Sequence, residues 1–468
     1  MLRVEWRSIG IPLLINAALL LLGGIMLEYT RTGVGEYHHY VHGFSETVLT
    51  QILVYLAAIV LLELCPANNW TLRIILLVAF AARLIAVFAP PFLSTDIYRY
   101  VWDGLVQGAG INPFRYIPAD SHLAFLRDVS IYPNINRREY AHTIYPPGSQ
   151  MIFWAVTRIS ATVTAMKLAM VGFEAVTCYA LIRCLRLLRM RPERVLIYAW
   201  CPVCLWEIAS SGHADAVALT FISLALLARL TDRDNWAVGW LGAAALIKLY
   251  PIALLPAFLR GWRLRPALVA LGVIVTGYLF YLERGVSVFG FLPAYIQEEG
   301  TQSGTRYFLL AFIERNLHIT IPASAYVATC AALFAALAWW TFRRGATANA
   351  CISSGLVLAT TLTLCFSPHY PWYFLWLVPF LPLWPWPPAF FLAVAPMYLL
   401  MTNLGVPGEP MYRLNCILYG GFFVLLANEW LSNYVPKLVV RKTKDIFKAA
   451  LSLAPHDASR DLSAPEEL

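Results

Sequence analysis

Charged residues are scarce in this chain. Lysine, arginine, aspartate and glutamate make up 13% of its 468 residues, whereas hydrophobic residues make up 59%. The apolar share of soluble proteins is nearer ~45–50%, so this composition excludes an ordinary soluble domain and indicates a polytopic membrane protein. The nine cysteines lie almost entirely within apolar runs. The pair in WCPVCLW (200–206) imitates a redox motif, but no βαβ pattern surrounds it, and we interpret it as part of a lipid-facing segment.

Several chemical signatures are also missing from the sequence. It has no glycine-rich phosphate loop, no His/Cys set with zinc spacing and no Ser-His-Asp order, so we expect no cofactor, no metal and no nucleic-acid partner. An inverted repeat of broken helices, which is the pattern of many secondary transporters, is absent as well. We interpret His38, His39 and His42 as interfacial residues rather than metal ligands.

Apolar stretches of about 20 residues, the length that crosses a bilayer, recur along the chain. They predict an all-α fold with about thirteen transmembrane helices plus one re-entrant helix. The predicted crossings are Ile9–Glu28, Val48–Leu64, Leu72–Ala89, Ala165–Arg183, Val195–Ser211, Ala214–Leu230, a short hairpin of Trp236–Ile247 and Tyr250–Leu259, Pro266–Leu282, Pro322–Phe342, Cys351–Phe366, Pro371–Trp384, Pro388–Asn403 and Tyr412–Tyr434.

Clusters of lysine and arginine predict the orientation, because short basic loops stay in the cytoplasm. If Tyr145–Ser160 were a full crossing, the arginine-rich segment Arg183–Arg194 would lie outside. We therefore predict that Tyr145–Ser160 enters and leaves the membrane on the same side. Two large loops, residues 90–146 and 283–321, then lie outside.

The chain divides into one integral-membrane domain over residues 1–434 and a tail over 435–468. The tail is basic near its start and has few apolar residues, so we expect it to be disordered and cytoplasmic. Neither outer loop contains an Asn-x-Ser/Thr sequence, which suits a bacterial inner membrane with the active site facing outward.

Charged residues within apolar segments are costly and mark a function or an ion pair. Arg83 lies about 10 Å below the outer end of its predicted helix, and Lys248 lies at the bend of the short hairpin. Two interpretations stay open. The cations either neutralise Glu174 and Glu207 inside the bundle, or they bind the phosphate of a lipid-linked substrate.

The stretch STDIYRYVWDG, at the start of the first outer loop, carries two carboxylates. Asp96 and Asp103 are seven residues apart, which places them on one face of a helix, two turns apart. Arg99 follows Asp96 by three residues, a spacing that allows an ion pair.

Six motifs follow one another along the chain: STDIYRYVWDG, INPFRYIPAD (111–120), TIYPPGSQ (143–150), SGHADAVAL (211–219), IKLYPIALLP (247–256) and FSPHYPWYFLWLVPFLP (366–382). Their order and spacing resemble the GT-C glycosyltransferases. More narrowly, the chain is similar to bacterial mannosyltransferases that use polyprenol-phosphate mannose, and more distantly to the first mannosyltransferase of GPI-anchor assembly.

The resemblance implies a GT-C fold, a polyprenyl-phosphate sugar donor and a general base that falls on Asp96, with Asp103 as a second loop acid. Two departures are visible, because the GPI enzyme has a second aspartate where this chain has Tyr98, and an asparagine where it has His213. A lone carboxylate is a poor Mg²⁺ site, so we predict metal independence. The residues expected to bind substrate are Arg83, Arg99, Tyr145, His213, Asp215, Lys248, Tyr250, His369 and Tyr370.

Glycosyl transfer develops positive charge on the sugar and negative charge on the phosphate, so the site needs a base and fixed cations. We expect the cations to be Lys248, Arg83 and either His369 or Arg306. The predicted enzyme transfers a hexose, foremost mannose, with inversion to a glycan or glycolipid acceptor at the bilayer surface. Two alternatives stay open: a lipid-linked solute transporter or flippase, and a glycan polymerase or ligase.

Overall fold

The computed structural model describes residues 11–36, 41–259, 261, 263–344, 347–400 and 409–452. It is 75% helical, and none of the described residues forms a β-strand. The predicted all-α class is therefore confirmed. His38 and His39, two of the histidines interpreted as interfacial, lie outside the described residues, as does the end of the predicted tail beyond Ser452.

The longer helices follow one another in the order α1 (Ile11–Glu36), α2 (Val41–Leu64), α3 (Asn69–Phe88), α4 (Asp96–Gly108), α5 (Pro147–Ile159), α6 (Val163–Leu187), α7 (Asp215–Leu230), α8 (Asp234–Ala245), α9 (Leu264–Leu279), α10 (Leu292–Glu298), α11 (Phe308–Leu317), α12 (Ala323–Arg344), α13 (Ala348–Phe366), α14 (Pro387–Leu399) and α15 (Glu409–Ser452). Short 3₁₀ helices are Ser121–Leu126, Tyr132–Asn134, Pro192–Val195, Tyr250–Leu254 and Pro371–Phe380. Short α-helices are Leu196–Ala199, Pro202–Cys204 and Leu255–Phe258, and Leu205–Ser210 is a π-helix.

Seven of the described helical stretches are long and apolar enough to cross a membrane, which supports a membrane protein. They are Ile11–Val34, Gly43–Leu64, Asn69–Phe88, Val163–Leu187, Ala323–Arg344, Asn349–Phe366 and Met411–Ser432. The helix α5 lies within the predicted re-entrant stretch and has 13 residues, which is short for a crossing. The count of thirteen crossings and the re-entrant path stay predictions.

The predicted continuous helix Val195–Ser211 is wrong, because this segment consists of short helical pieces ending in a π-helical turn. Pro202 contributes to the break, since proline lacks an N–H and its ring clashes with the preceding helical turn. The lipid-facing interpretation of WCPVCLW is also wrong. Trp206 is 0% exposed and donates its indole N–H to Gln51 Oε1 at 2.6 Å, so the segment runs through the interior of the bundle.

A second predicted crossing is also irregular. The segment predicted as Pro371–Trp384 forms a ten-residue 3₁₀ helix, Pro371–Phe380, with Pro379 inside it. Non-helical or strained backbone at membrane depth is tolerated where protein buries it, and most residues of this segment are buried. The last helix, α15, extends to Ser452 and therefore overlaps the first part of the predicted tail.

The C-terminal end of α3 is held by a lysine from a neighbouring helix. Lys167 of α6 is 0% exposed, and its Nζ donates to the carbonyl oxygens of Ala86 at 2.9 Å and Ala89 at 2.7 Å. The last carbonyls of a helix lack intrahelical partners, and a cation there is favourable. Lys167 thereby fixes where α3 ends and where the chain begins its approach to α4.

Candidate active site

A cavity of about 300 Å³ lies between the two long loops that the sequence predicts to be outside. It contains five of the predicted site residues, namely Asp96, Arg99, Tyr145, Lys248 and Tyr370. The full lining consists of Phe92, Leu93, Ser94, Thr95, Asp96, Arg99, Asn136, Arg137, Ala141, His142, Ile144, Tyr145, Lys248, Phe291, Tyr295, Glu299, Tyr370, Trp372 and Tyr373.

Asp96 is the first residue of α4, and the connection that leads to it from α3 begins with Ala89, Pro90 and Pro91. The positive end of the helix dipole favours a carboxylate at this position. Asp96 is half-buried, and its Oδ1 accepts a hydrogen bond from Asn136 Nδ2 at 2.9 Å. Among the described residues it has no ion-pair partner within 4 Å, so its carboxylate is available to accept a proton from a bound hydroxyl.

Asp103, two turns further along α4, has a different environment. It is 1% exposed, and Arg99 Nε donates to its Oδ1 at 2.8 Å. Its Oδ2 accepts from Thr143 Oγ1 at 2.5 Å and from Gln150 Nε2 at 2.9 Å. Arg99 thus pairs with Asp103 rather than with Asp96, and the network ties α4 to α5 and to the segment that precedes it.

Lys248 faces the cavity next to a buried acid. Its Nζ lies 3.1 Å from Oδ2 of Asp215, which begins α7, and Tyr250 donates its hydroxyl to Oδ1 of the same carboxylate at 2.8 Å. Burial of Lys248 lowers its pKa, but the neighbouring carboxylates of Asp215 and Asp96 outweigh that effect and raise the pKa overall. The lysine is therefore charged at neutral pH.

An aromatic stack lines one side of the cavity. The ring of His369 lies 4.4 Å from that of Tyr370, and Tyr370 stacks on Trp372 at 4.4 Å with an interplanar angle of 10°. Trp372 in turn stacks on His213 at 4.6 Å. Tyr370 and Trp372 face the cavity, and their apolar ring faces suit the C–H face of a sugar.

His213 lies behind this stack and does not line the cavity. It is 0% exposed, and its Nε2 is 3.3 Å from Glu207 Oε2. The preceding residue, Gly212, has φ +75°, and a Cβ there would lie 2.2 Å from Ile97 of α4. The turn that carries His213 therefore packs directly against the helix that carries Asp96.

Arg83 lies outside the cavity. Its guanidinium bonds to both carboxylate oxygens of Glu174, at 2.9 and 2.8 Å, and its Nη1 donates to Ala199 O at 2.8 Å. Two interpretations were left open for Arg83, and the structure shows the first of them, an ion pair with Glu174 inside the bundle. We therefore leave Arg83 out of the proposed site.

Sequence reasoning missed four residues that shape the cavity. Asn136 lies 40 positions from Asp96, and nothing in the sequence links the two. Tyr295, Tyr373 and Glu299 were also missed, although the acidic pair QEEG in the second loop was a usable signal for Glu299. Among the described residues, no group of three or more His, Cys, Asp or Glu is arranged to hold a metal ion.

A helical membrane protein with a carboxylate and a cation at one cavity has the parts of a membrane-embedded glycosyltransferase. A family model supports this class, since residues 18–263 match alpha-(1->6)-mannopyranosyltransferase, N-terminal domain. The match covers more than half of the chain, and the chain belongs to this family. No curated protein matches the chain. No solved structure matches it either. The expected glycosyltransferase class is thereby confirmed, with mannose as the sugar of the family.

Proposed function

We propose that this chain transfers a mannosyl group from a polyprenyl-phosphate donor to a hydroxyl of a glycan or glycolipid on the outer face of a bacterial inner membrane. The observation that carries the proposal is the cavity that holds both Asp96 and Lys248. The family match supports mannose as the sugar, because the family is one of mannopyranosyltransferases.

The proposed chemistry uses one base and direct displacement. The acceptor hydroxyl gives its proton to the Asp96 carboxylate while its oxygen forms a bond to the anomeric carbon. The bond from that carbon to the phosphate oxygen breaks, and its electron pair stays on the phosphate. A single displacement inverts the anomeric configuration, and Lys248 stabilises the charge that develops on the leaving phosphate.

The neighbouring residues support these two roles. Tyr370 and Trp372 offer ring faces for the sugar, whereas Asp215 and Tyr250 hold Lys248 in position. Asp103 has all its strong hydrogen bonds within the protein, so we assign it to positioning α4 rather than to the reaction.

The test uses purified protein and radiolabelled mannose donors with a mannoside acceptor. We expect transfer from polyprenyl-phosphate mannose and none from a nucleotide sugar. Lys248→Met should lower kcat/KM for the lipid donor roughly tenfold to a hundredfold, because a charge-assisted hydrogen bond contributes ~1.5–3 kcal/mol. Lys248→Arg, which keeps the charge opposite Asp215, is the control and should retain more activity.

Transfer from a nucleotide sugar without any lipid donor would contradict the proposal. The transporter alternative would be favoured instead if a labelled lipid crosses the bilayer of vesicles that contain the protein and no covalent product forms on the acceptor.

A further inference from the structure

Glu299 stands between the cavity and a buried cation. It follows α10, its side chain is 7% exposed, and it lines the cavity. Its Oε2 accepts a hydrogen bond from Arg306 Nη1 and lies 3.4 Å from His369 Nε2. Neither Arg306 nor His369 lines the cavity. The carboxylate therefore covers two groups that are able to bind an anion.

Arg306 belongs to the same charged region as Lys248. The ring of Tyr373 lies near both cations, with the Arg306 guanidinium carbon and the Lys248 Nζ each 6.0 Å from the ring centroid. The Tyr373 hydroxyl is 2.7 Å from that of Tyr295, so the ring is held in place. A phosphate bound by Lys248 therefore lies one aromatic ring away from Arg306.

Carboxylates outnumber fixed cations around the cavity. Each lysine or arginine that lines the cavity has an acidic partner, as does Arg306 behind Glu299, and Asp96 has none among the described residues. The cations are Arg99, Arg137, Lys248 and Arg306, and the acids are Asp96, Asp103, Asp215, Glu298 and Glu299. A phosphate that enters this site adds negative charge to a partly dry cavity, where like charges repel strongly. An acid that leaves its cation would lower this repulsion and free the cation for the phosphate.

Glu299 is the paired acid that a ligand in the cavity meets. Asp103, Asp215 and Glu298 do not line the cavity, whereas Glu299 does. Besides Arg306 and His369, Tyr295 also bonds to the Glu299 side chain. Glu299 lies at the end of the seven-residue α10 and directly before Gly300, whose φ is +71°. Glycine adopts this conformation and its alternatives at little cost, so the chain is able to turn at this point.

We infer that Glu299 is a carboxylate gate: in the free protein it occupies the anion subsite formed by Arg306 and His369, and the phosphate of the lipid donor displaces it. The inference rests on the proposed function. It assigns the phosphate two further ligands beyond Lys248, and it makes donor binding a competition between two anions for one arginine.

The experiment measures the affinity of a short-chain prenyl phosphate for the full-length protein by calorimetry in detergent. Glu299→Gln keeps the size of the side chain and removes its charge. If the Glu299 carboxylate occupies the subsite about nine-tenths of the time in wild type, the apparent affinity for phosphate is about tenfold lower than that of the open site. Glu299→Gln should therefore bind about tenfold more tightly than wild type. Glu139→Gln is the control, because it removes an exposed acid whose partner, Arg138, does not line the cavity, and it should leave the affinity unchanged.

Two further arms separate the possible results. Adding Arg306→Met to Glu299→Gln should abolish the gain. Inorganic phosphate should show the same gain in Glu299→Gln as the prenyl phosphate does, because the gate acts on the charged headgroup. A gain with prenyl phosphate that is missing with inorganic phosphate would overturn the anion subsite.

Equal or weaker binding of prenyl phosphate by Glu299→Gln, with wild type still binding, overturns the gate and leaves the proposed function intact. If neither wild type nor the variants bind prenyl phosphate, the proposed function fails and the gate fails with it. If Glu299→Gln does not fold, Glu299→Asp tests the same point. Its carboxylate is withdrawn by one methylene, so it should give a smaller gain, and no gain contradicts the inference.

Discussion

Replacing Asp103 by asparagine is expected to destabilise the protein far more than it impairs the chemistry. The substitution removes one partner of a buried ion pair with Arg99 and turns an acceptor that serves Thr143 and Gln150 into an amide. Breaking a buried pair in this way costs about 3–5 kcal/mol, because the remaining charge is left uncompensated. An unfolding entropy of ~2.1 cal/mol/K per residue gives about 1 kcal/mol/K for the chain, so we expect the thermal midpoint to fall by about 3–5 °C.

A thiol-reactive dye measures this midpoint, since Cys184, Cys201 and Cys204 are buried and react only after unfolding. Asp120→Asn is the control. It removes an acid from the same loop whose partner, His122, is exposed, and such pairs contribute little. An unchanged midpoint for Asp103→Asn together with an inactive enzyme would refute the reasoning and move the base to Asp103.

Three further predictions address the base, the topology and the pH dependence. Asp96→Asn should reduce turnover by ~10²–10⁴ in the mannosyl-transfer assay. Its midpoint should stay near that of wild type, because within the described part of the chain the Asp96 carboxylate accepts one hydrogen bond, from Asn136. A large loss of stability would contradict this role. In a cysteine-free background, Asn134→Cys should react with an impermeant maleimide from outside and Arg189→Cys should not, and outside labelling at 189 would contradict the re-entrant path. Burial lowers the pKa of His142 below its ordinary ~6.5. As the pH falls below ~6.5, this histidine is protonated in the unfolded chain before it is protonated in the folded protein, so the free energy of unfolding decreases. His142→Gln should flatten the fall in midpoint between pH 7 and 5, and an unchanged slope would contradict the assignment.

Hydrophobic length predicted the regular membrane helices well. The predicted Leu72–Ala89 corresponds to Asn69–Phe88, and the predicted Cys351–Phe366 corresponds to Ala348–Phe366. The broken segment at 195–211 was beyond such reasoning, because apolar length does not distinguish a lipid-facing helix from irregular backbone that other helices bury.

The candidate site was predicted only in part. Motif order brought Asp96, Tyr145, Lys248 and Tyr370 together, and the structure finds all four at one cavity. Glu299 lies in a loop whose path is set by tertiary packing, so the sequence could not predict that it lies at the same cavity as Lys248. Whether a charged residue meets a substrate or another residue depends on the same packing.

The lysine that closes the end of α3 has a consequence for the height of the reaction. A lipid donor is anchored by its chain, so its sugar arrives at a set level above the bilayer core. On the proposed function the base must lie at the matching level, and the position of Asp96 depends on where α3 ends, next to the carbonyls that Lys167 binds. If α3 slid by one helical turn, about 5.4 Å, Asp96 would move out of reach of the acceptor hydroxyl. On the proposed function, Lys167 therefore sets the height of the Asp96 carboxylate relative to the bilayer and to the sugar of the lipid donor.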